Sequence, residues 1–233
     1  MKQLQTAVII PVYNEEASIG YVIDDIPKEL VAEIIVVDNR STDQSAIVAR
    51  RKGARVVYQP QRGYGSACLT GIANLSEKIE VVIFMDGDYS DDPHQLSDLL
   101  NALQRDKADL VIGSRVRGFH EKGSLTPQQK LGNWLSTKII QMIYKYHYTD
   151  LGPFRAIRRE GLARINMQDR NYGWTVEMQV KALQHDLKVV EIPVSYRRRI
   201  GKSKISGTIS GTVRAGFKIL WTIGKLSAQH WLG

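Results

Sequence analysis

The chain has 233 residues, 43% of them hydrophobic, enough for one large α/β domain or a domain with an appendage and too apolar for a disordered protein. Its single cysteine, Cys68, excludes an intramolecular disulfide and a multi-cysteine zinc site, and suits a reducing cytoplasm. The net charge of +8 is local: eight of the 32 bases and none of the 24 acids lie between Pro193 and Gly233, leaving the rest balanced.

Thr6–Val12 reads as an apolar strand ending in Pro-Val-Tyr-Asn-Glu, followed by a helical pattern from about Glu16 to Leu30. No signal-peptide pattern precedes it, and no apolar stretch of roughly 20 residues suggests a membrane span. Glu33–Asp38 is a second strand, with turn and capping residues at 39–43 and a helix over Gln44–Lys52. Arg55–Tyr58 is a third strand, then a glycine-bearing loop and a helix from about Ser66. Glu80–Met85 is nearly all apolar, as a strand buried on both faces should be, and Asp109–Gly113 is the fifth strand. Beyond Arg115 the spacing predicts a loop to Thr126, an amphipathic helix over Pro127–Tyr146 and an irregular then extended segment over Asp150–Arg159. A helix over Trp174–Gln184 and a strand over Lys188–Tyr196 follow. Arg197–Gly207 is a basic Gly/Ser-rich loop expected to move, and Ile205–Leu226 interleaves large apolar residues with cations.

Repeated β-α units imply a mostly parallel sheet with helices on both faces, whose ligands bind outside the carboxyl ends of the strands. The polar clusters at Tyr13–Glu15, Asp38–Asn39, Asp86–Asp88 and Ser114–Arg115 all fall there. Asp86-Gly87-Asp88 follows a buried strand directly. Two carboxylates one residue apart can converge on a hard cation, and the glycine permits close backbone approach. Such a cation neutralises a diphosphate leaving group. Tyr13 offers a flat face to a nucleobase and Glu15 an acceptor for ring or ribose donors; Asp38 and Asn39 suit base or ribose contacts. A strand-end turn and helix cap is the structural alternative for these residues. Gly63-Tyr64-Gly65 is not a dinucleotide fingerprint: it follows the third strand, and Cys68 stands at the third glycine position. Those glycines are expected to allow tight packing of a helix start.

These pieces resemble glycosyltransferase family 2, and within it the dolichyl-phosphate mannosyltransferase-like branch of polyprenyl-phosphate glycosyltransferases. The matching segments are Pro11–Glu15, Val36–Asp43, Asp86–Pro93, Gly113-Ser114-Arg115, Gly152-Pro153-Phe154-Arg155 and Arg-Arg-Ile-Gly-Lys-Ser-Lys from Arg198 to Lys204. The resemblance implies an α/β GT-A fold, Rossmann-like, with a catalytic domain over 1–200 (nucleotide-sugar half 1–115, acceptor half 116–200) and a basic amphipathic segment over 201–233. It implies inverting transfer from a nucleotide-diphosphate sugar, with Pro11, Tyr13, Glu15, Asp38 and Asn39 on the nucleoside and Asp86 and Asp88 on Mg2+ or Mn2+, beside Gly87. Arg115, Arg198 and Lys204 would contact phosphates. Asn39-Arg40 departs from the family's frequent Asp-Gly, and Ser90 stands where some relatives carry a glutamine.

A lipid-phosphate acceptor is already an anion at neutral pH, its second pKa being near ~6, and needs cations rather than a base. A sugar-hydroxyl acceptor requires a carboxylate base, for which Asp150 and Glu177 are the candidates. The basic tail and the arginines favour the lipid phosphate and attachment at the cytoplasmic face of an anionic membrane. That contact is expected to be peripheral, through the tail, or through a membrane-protein partner; a homo-oligomer is the other partner considered. The tail has a structural alternative, packing as a core element. A non-catalytic nucleotide-sugar-binding subunit is the alternative function, against which the acidic pair argues. A nucleic-acid partner finds no motif beyond charge.

Overall fold

A computed structural model describes residues 4–201 and 209–232. β1 (Thr6–Val12), β2 (Glu33–Asp38) and β3 (Arg55–Tyr58) alternate with α1 (Ile19–Asp25) and α2 (Ser45–Arg51). Then come α3 (Tyr64–Ala73), β4 (Val81–Phe84), α4 (Leu96–Arg105), β5 (Leu110–Ser114) and α5 (Pro127–Tyr144). The chain continues with β6 (Arg155–Arg158), α6 (Arg159–Ile165), α7 (Trp174–Gln184), β7 (Val189–Pro193) and α8 (Ile209–Leu232). The helical pattern expected to reach Leu30 stops earlier. Ile26 is extended because it precedes Pro27, which disfavours the α region, and a short 3-10 turn over Lys28–Leu30 follows.

The strands form one seven-stranded sheet in the order β3-β2-β1-β4-β6-β5-β7. All pairings are parallel except those of β6, which runs antiparallel between β4 and β5. The extended segment near Arg155 is therefore a central strand. It pairs strands of the expected nucleotide half with a strand of the acceptor half in one sheet. Along β1 the side chains alternate between two cores: Ala7 and Ile9 face one, Val8, Ile10 and Val12 the other. α1, α2 and α4 cover the second core, and α3, α5, α6, α7 and α8 the first. Complete burial of residues such as Ile9 and Ile83 contributes about 1.5–3 kcal/mol each. Phe84 meets Trp174 edge-on at 5.7 Å between ring centroids, joining β4 to the start of α7.

α5 begins where the sequence predicts. Thr126 Oγ1 accepts from Gln129 N, Gln129 Oε1 accepts from Thr126 N, and Pro127 fills the first helical position. α8 packs on α5 and α7: Ile223 is buried, Tyr144 and Ser227 share a hydroxyl hydrogen bond of 3.0 Å, and Lys218 pairs with Asp169 at 2.9 Å. Its other side leaves Phe217, Trp221 and Trp231 exposed. The tail is thus a core element that also presents an aromatic face. No helix among the described residues is long and apolar enough to cross a membrane.

Candidate active site

The carboxyl ends of β1, β2, β4 and β5 carry the loops that close around a cavity of about 580 Å³. Pro11, Tyr13, Glu15, Asn39, Asp86, Gly87, Asp88 and Arg115 all line it. The first two loops are tied together: Asn14, held at φ 54°, accepts from Thr42 N through its side-chain oxygen and donates its own N–H to Ser41 Oγ. Asp38 does not reach the cavity. Its carboxylate accepts from Ser41 N at 2.9 Å and closes the turn that starts at the end of β2. Asn39 lines the cavity, but its side chain is spent on the chain: it donates to the carbonyls of Gln59 and Gln61 and accepts from Gly63 N. Arg40, at φ 63°, occupies the left-handed position for which the family's frequent glycine is suited. The Tyr13 face expected to receive a base lies under the Arg62 guanidinium, 3.2 Å from the ring centroid.

The glycines after β3 have a packing reason. A Cβ on Gly65 would stand 2.0 Å from the Asp169 carbonyl oxygen, and one on Gly63 2.2 Å from that of Arg170. Between them Tyr64 donates its hydroxyl to Asp86 Oδ1 at 3.0 Å. Gly87 has a similar role, since a Cβ there would meet Val12 Cγ2 at 3.0 Å.

Asp86, Asp88 and Asp91 crowd one short loop. Burial, then the charge of Asp88, raises Asp86 from 3.8 to about 6. Burial, then Asp86, pushes Asp91 well above the usual carboxylate range. Asp91 Oδ1 is buried without a hydrogen-bond partner among the described residues, and Oδ2 accepts from Asp86 N. This excess of oxygen donors and negative charge fits a hard divalent cation. Among the described residues no group of three or more acidic, His or Cys side chains is arranged to hold one. A cation on Asp86 and Asp88 would therefore complete its shell from a ligand's phosphates and water, as Mg2+ commonly does.

Arg115 is fixed by Asp150: Nε and the backbone N donate to Oδ2 at 2.8 Å each, and Nη2 to Oδ1 at 2.7 Å. Burial opposes the charge on Arg115, but Asp150 outweighs it and moves the guanidinium above its ordinary value. Asp150 is itself held by Glu191, which accepts from its N–H and from that of Thr149. Asp150 is thus engaged as the ion-pair partner of Arg115. Glu177 is committed as well: it accepts from Gln168 N and Asp169 N and pairs with Lys181.

Arg198, expected at a phosphate, is turned away: its Nε donates to the Lys122 carbonyl and its N–H to Glu121. Arg199 reaches the site instead, with Nη2 2.9 Å from Asp88 Oδ2. Lys204 lies outside the described residues. Three consecutive arginines point in different directions, and nothing in the run Arg197-Arg198-Arg199 marks which faces inward. Tyr64, Arg62 and Asp91 also reach the site, and of these Asp91, close behind the acidic triplet, carries a signal in the sequence.

This sheet, with an acidic pair and a fixed arginine at its carboxyl edge, has the GT-A fold. The glycosyl transferase family 2 model matches residues 7–165, and the chain belongs to that family. An uncharacterized glycosyltransferase of Mycobacterium tuberculosis is 37% identical over 211 residues, 89% of this chain and 93% of that one. The undecaprenyl-phosphate mannosyltransferase of Micrococcus luteus is 30% identical over 224 residues, 89% of this chain and 90% of that one. Among solved structures, glucosyl-3-phosphoglycerate synthase of M. tuberculosis, crystallised with Mn2+, UDP and glucosyl-3-phosphoglycerate, superposes with a TM-score of 0.78. It is 22% identical, and the match covers 97% of this chain and 80% of that one.

Proposed function

We propose that this glycosyltransferase moves a sugar, with inversion, from a nucleotide-diphosphate donor to a polyprenyl or dolichyl phosphate, with Mg2+ or Mn2+ at Asp86 and Asp88. The observation that carries this reading is the position of Arg115. It lines the donor cavity and also a second cavity of about 350 Å³, to which His120, Lys130, Lys138 and His147 contribute. A chamber lined by Lys130 and Lys138 that meets the donor site at a fixed guanidinium suits a phosphate acceptor. Trp134 lines the second chamber and is exposed, with Leu131 and Met142 exposed on the same helix and Phe217 and Trp221 on its neighbour α8. Exposed apolar side chains on α5 and α8, one of them lining the second chamber, suit a lipid. The similarity to the M. luteus mannosyltransferase points the same way.

In this reading Tyr13 and Glu15 hold the nucleoside, and Asp38 and Asn39 shape the loops around it. The cation supplies charge neutralisation for the departing diphosphate. Arg115, oriented by Asp150, fixes the acceptor phosphate so that an anionic oxygen faces the anomeric carbon opposite the leaving group. That oxygen needs no proton removed, which agrees with Asp150 and Glu177 both being engaged in ion pairs. The test is transfer from a panel of nucleotide sugars, with Mn2+, to polyprenyl phosphate, a free hexose and phosphoglycerate, with Asp88→Ala as control. Product on the lipid phosphate, lowered ~100-fold or more in the control, is expected. Transfer to a hydroxyl acceptor alone refutes the proposal.

A further inference from the structure

Asp88 has two carboxylate oxygens, each with about two lone-pair positions. Oδ1 accepts from Ser90 N at 3.0 Å and from Ser90 Oγ, which fills it. Oδ2 is therefore the oxygen that Asp88 has to offer a cation, and Arg199 Nη2 sits on it at 2.9 Å. We propose that Arg199 is a place-holder for the divalent cation: it neutralises Asp88 in the metal-free protein, releases that oxygen when a cation binds, and turns onto the donor's diphosphate. The proposal rests on the assignment of Asp86 and Asp88 to a metal.

Three features carry it. A guanidinium and a divalent ion on one oxygen of Asp88, a side chain only 5% exposed, repel each other. The backbone of the arginine's loop is anchored independently of its side chain: Arg197 N donates to the Ser90 carbonyl at 2.8 Å and Ile200 N to that of Asp88 at 2.9 Å. Arg197 Nη2 adds an ion pair to Asp92 at 2.8 Å. Exchange of Arg199 for a cation therefore requires rotation of one side chain, 29% exposed, and no movement of the loop. The released guanidinium stays in the cavity that Tyr13, Glu15 and Asp86 line, where a nucleoside diphosphate would lie. Arg198 has no such freedom of role, being held on Lys122 and Glu121.

Linkage gives the consequence. A cation must displace Arg199, and a diphosphate gives Arg199 a new partner, so each ligand favours the other. Mn2+ binding to metal-free protein, followed by electron paramagnetic resonance and by calorimetry with and without UDP or GDP, measures that coupling. Wild type is expected to bind Mn2+ weakly alone and more tightly with the diphosphate. Arg199→Ala should bind Mn2+ alone about tenfold more tightly and lose most of the diphosphate's enhancement, with Arg199→Lys between the two. Melting curves establish that each variant is folded, and Arg199→Gln, neutral and of similar length, decides if the alanine variant is not. Affinity for Mn2+ alone that is unchanged or weaker in the neutral variants overturns the proposal and leaves the metal assignment standing. Absence of Mn2+ binding by wild type and variants alike, with or without diphosphate, defeats the metal assignment itself.

Discussion

Replacing Asp150 with asparagine tests whether this carboxylate orients Arg115 or moves a proton. The side chains of Asp150 and Arg115 are 1% and 13% exposed, so the pair is nearly free of water. Three hydrogen bonds run from Arg115 to the two carboxylate oxygens. In the asparagine variant the amide NH2 must face one of the donating groups, and the guanidinium keeps its charge without a counter-ion. Removing one member of a buried pair costs about 3–5 kcal/mol. In a chain of this length each kcal/mol moves the midpoint by about 2–4 °C, so melting should fall by roughly 10 °C. Leucine at both positions should cost less than the sum of the single changes, because no buried charge is then orphaned. The functional readout is kcat/KM against pH. A positioning role lowers the whole profile and leaves its acid limb in place, whereas a general base takes the acid limb with it. An asparagine variant that melts like wild type, or one that loses only the acid limb, refutes the reasoning.

Asp86→Asn should stabilise the metal-free protein at high pH. Its pKa is raised from 3.8 to about 6 in the fold, so wild type loses stability as pH rises through that window. Urea unfolding should show a variant advantage on the order of 2–3 kcal/mol near pH 8 that closes near pH 4, and a gap independent of pH contradicts the assignment. Gly65→Ala places a Cβ 2.0 Å from the Asp169 carbonyl oxygen and should cost at least about 1–3 kcal/mol by denaturant unfolding. By contrast Gly224→Ala, with nothing within 4 Å, should stabilise α8 by about 0.5–1 kcal/mol. Serine at both Phe217 and Trp221 should weaken co-sedimentation with anionic vesicles at low salt without lowering the melting temperature, since both side chains are exposed. Removing α8 entirely should instead destabilise the fold, because Ile223 is buried.

β1, β2 and β4 were legible because strands buried on both faces leave an unbroken apolar signature, and β3 and α7 also fall where the sequence places them. The insertion of β6 between β4 and β5 was not legible: pairing partners are chosen across the fold, and no local pattern in Arg155–Arg158 announces an antiparallel neighbour. At the site, the acidic pair could be read because its chemistry follows from residue type and from its place after β4. The same logic points Asp38 and Asn39 at a ligand, yet both are engaged with the chain itself.

The difference is that an oxygen at a strand end serves a turn or a ligand equally well, and only the position of the next loop decides. Asn39 shows how: its amide joins the turn after β2 to the loop carrying Gly63, so it holds the wall that positions Tyr64 and, through Tyr64, Asp86. Arg199 is the converse case. A cation within a run of three carries no individual signal, and its importance follows from which oxygen of Asp88 is left after Ser90 has taken the other. Sequence thus names the atoms that carry charge, whereas the competition among them for one carboxylate oxygen is a property of the fold.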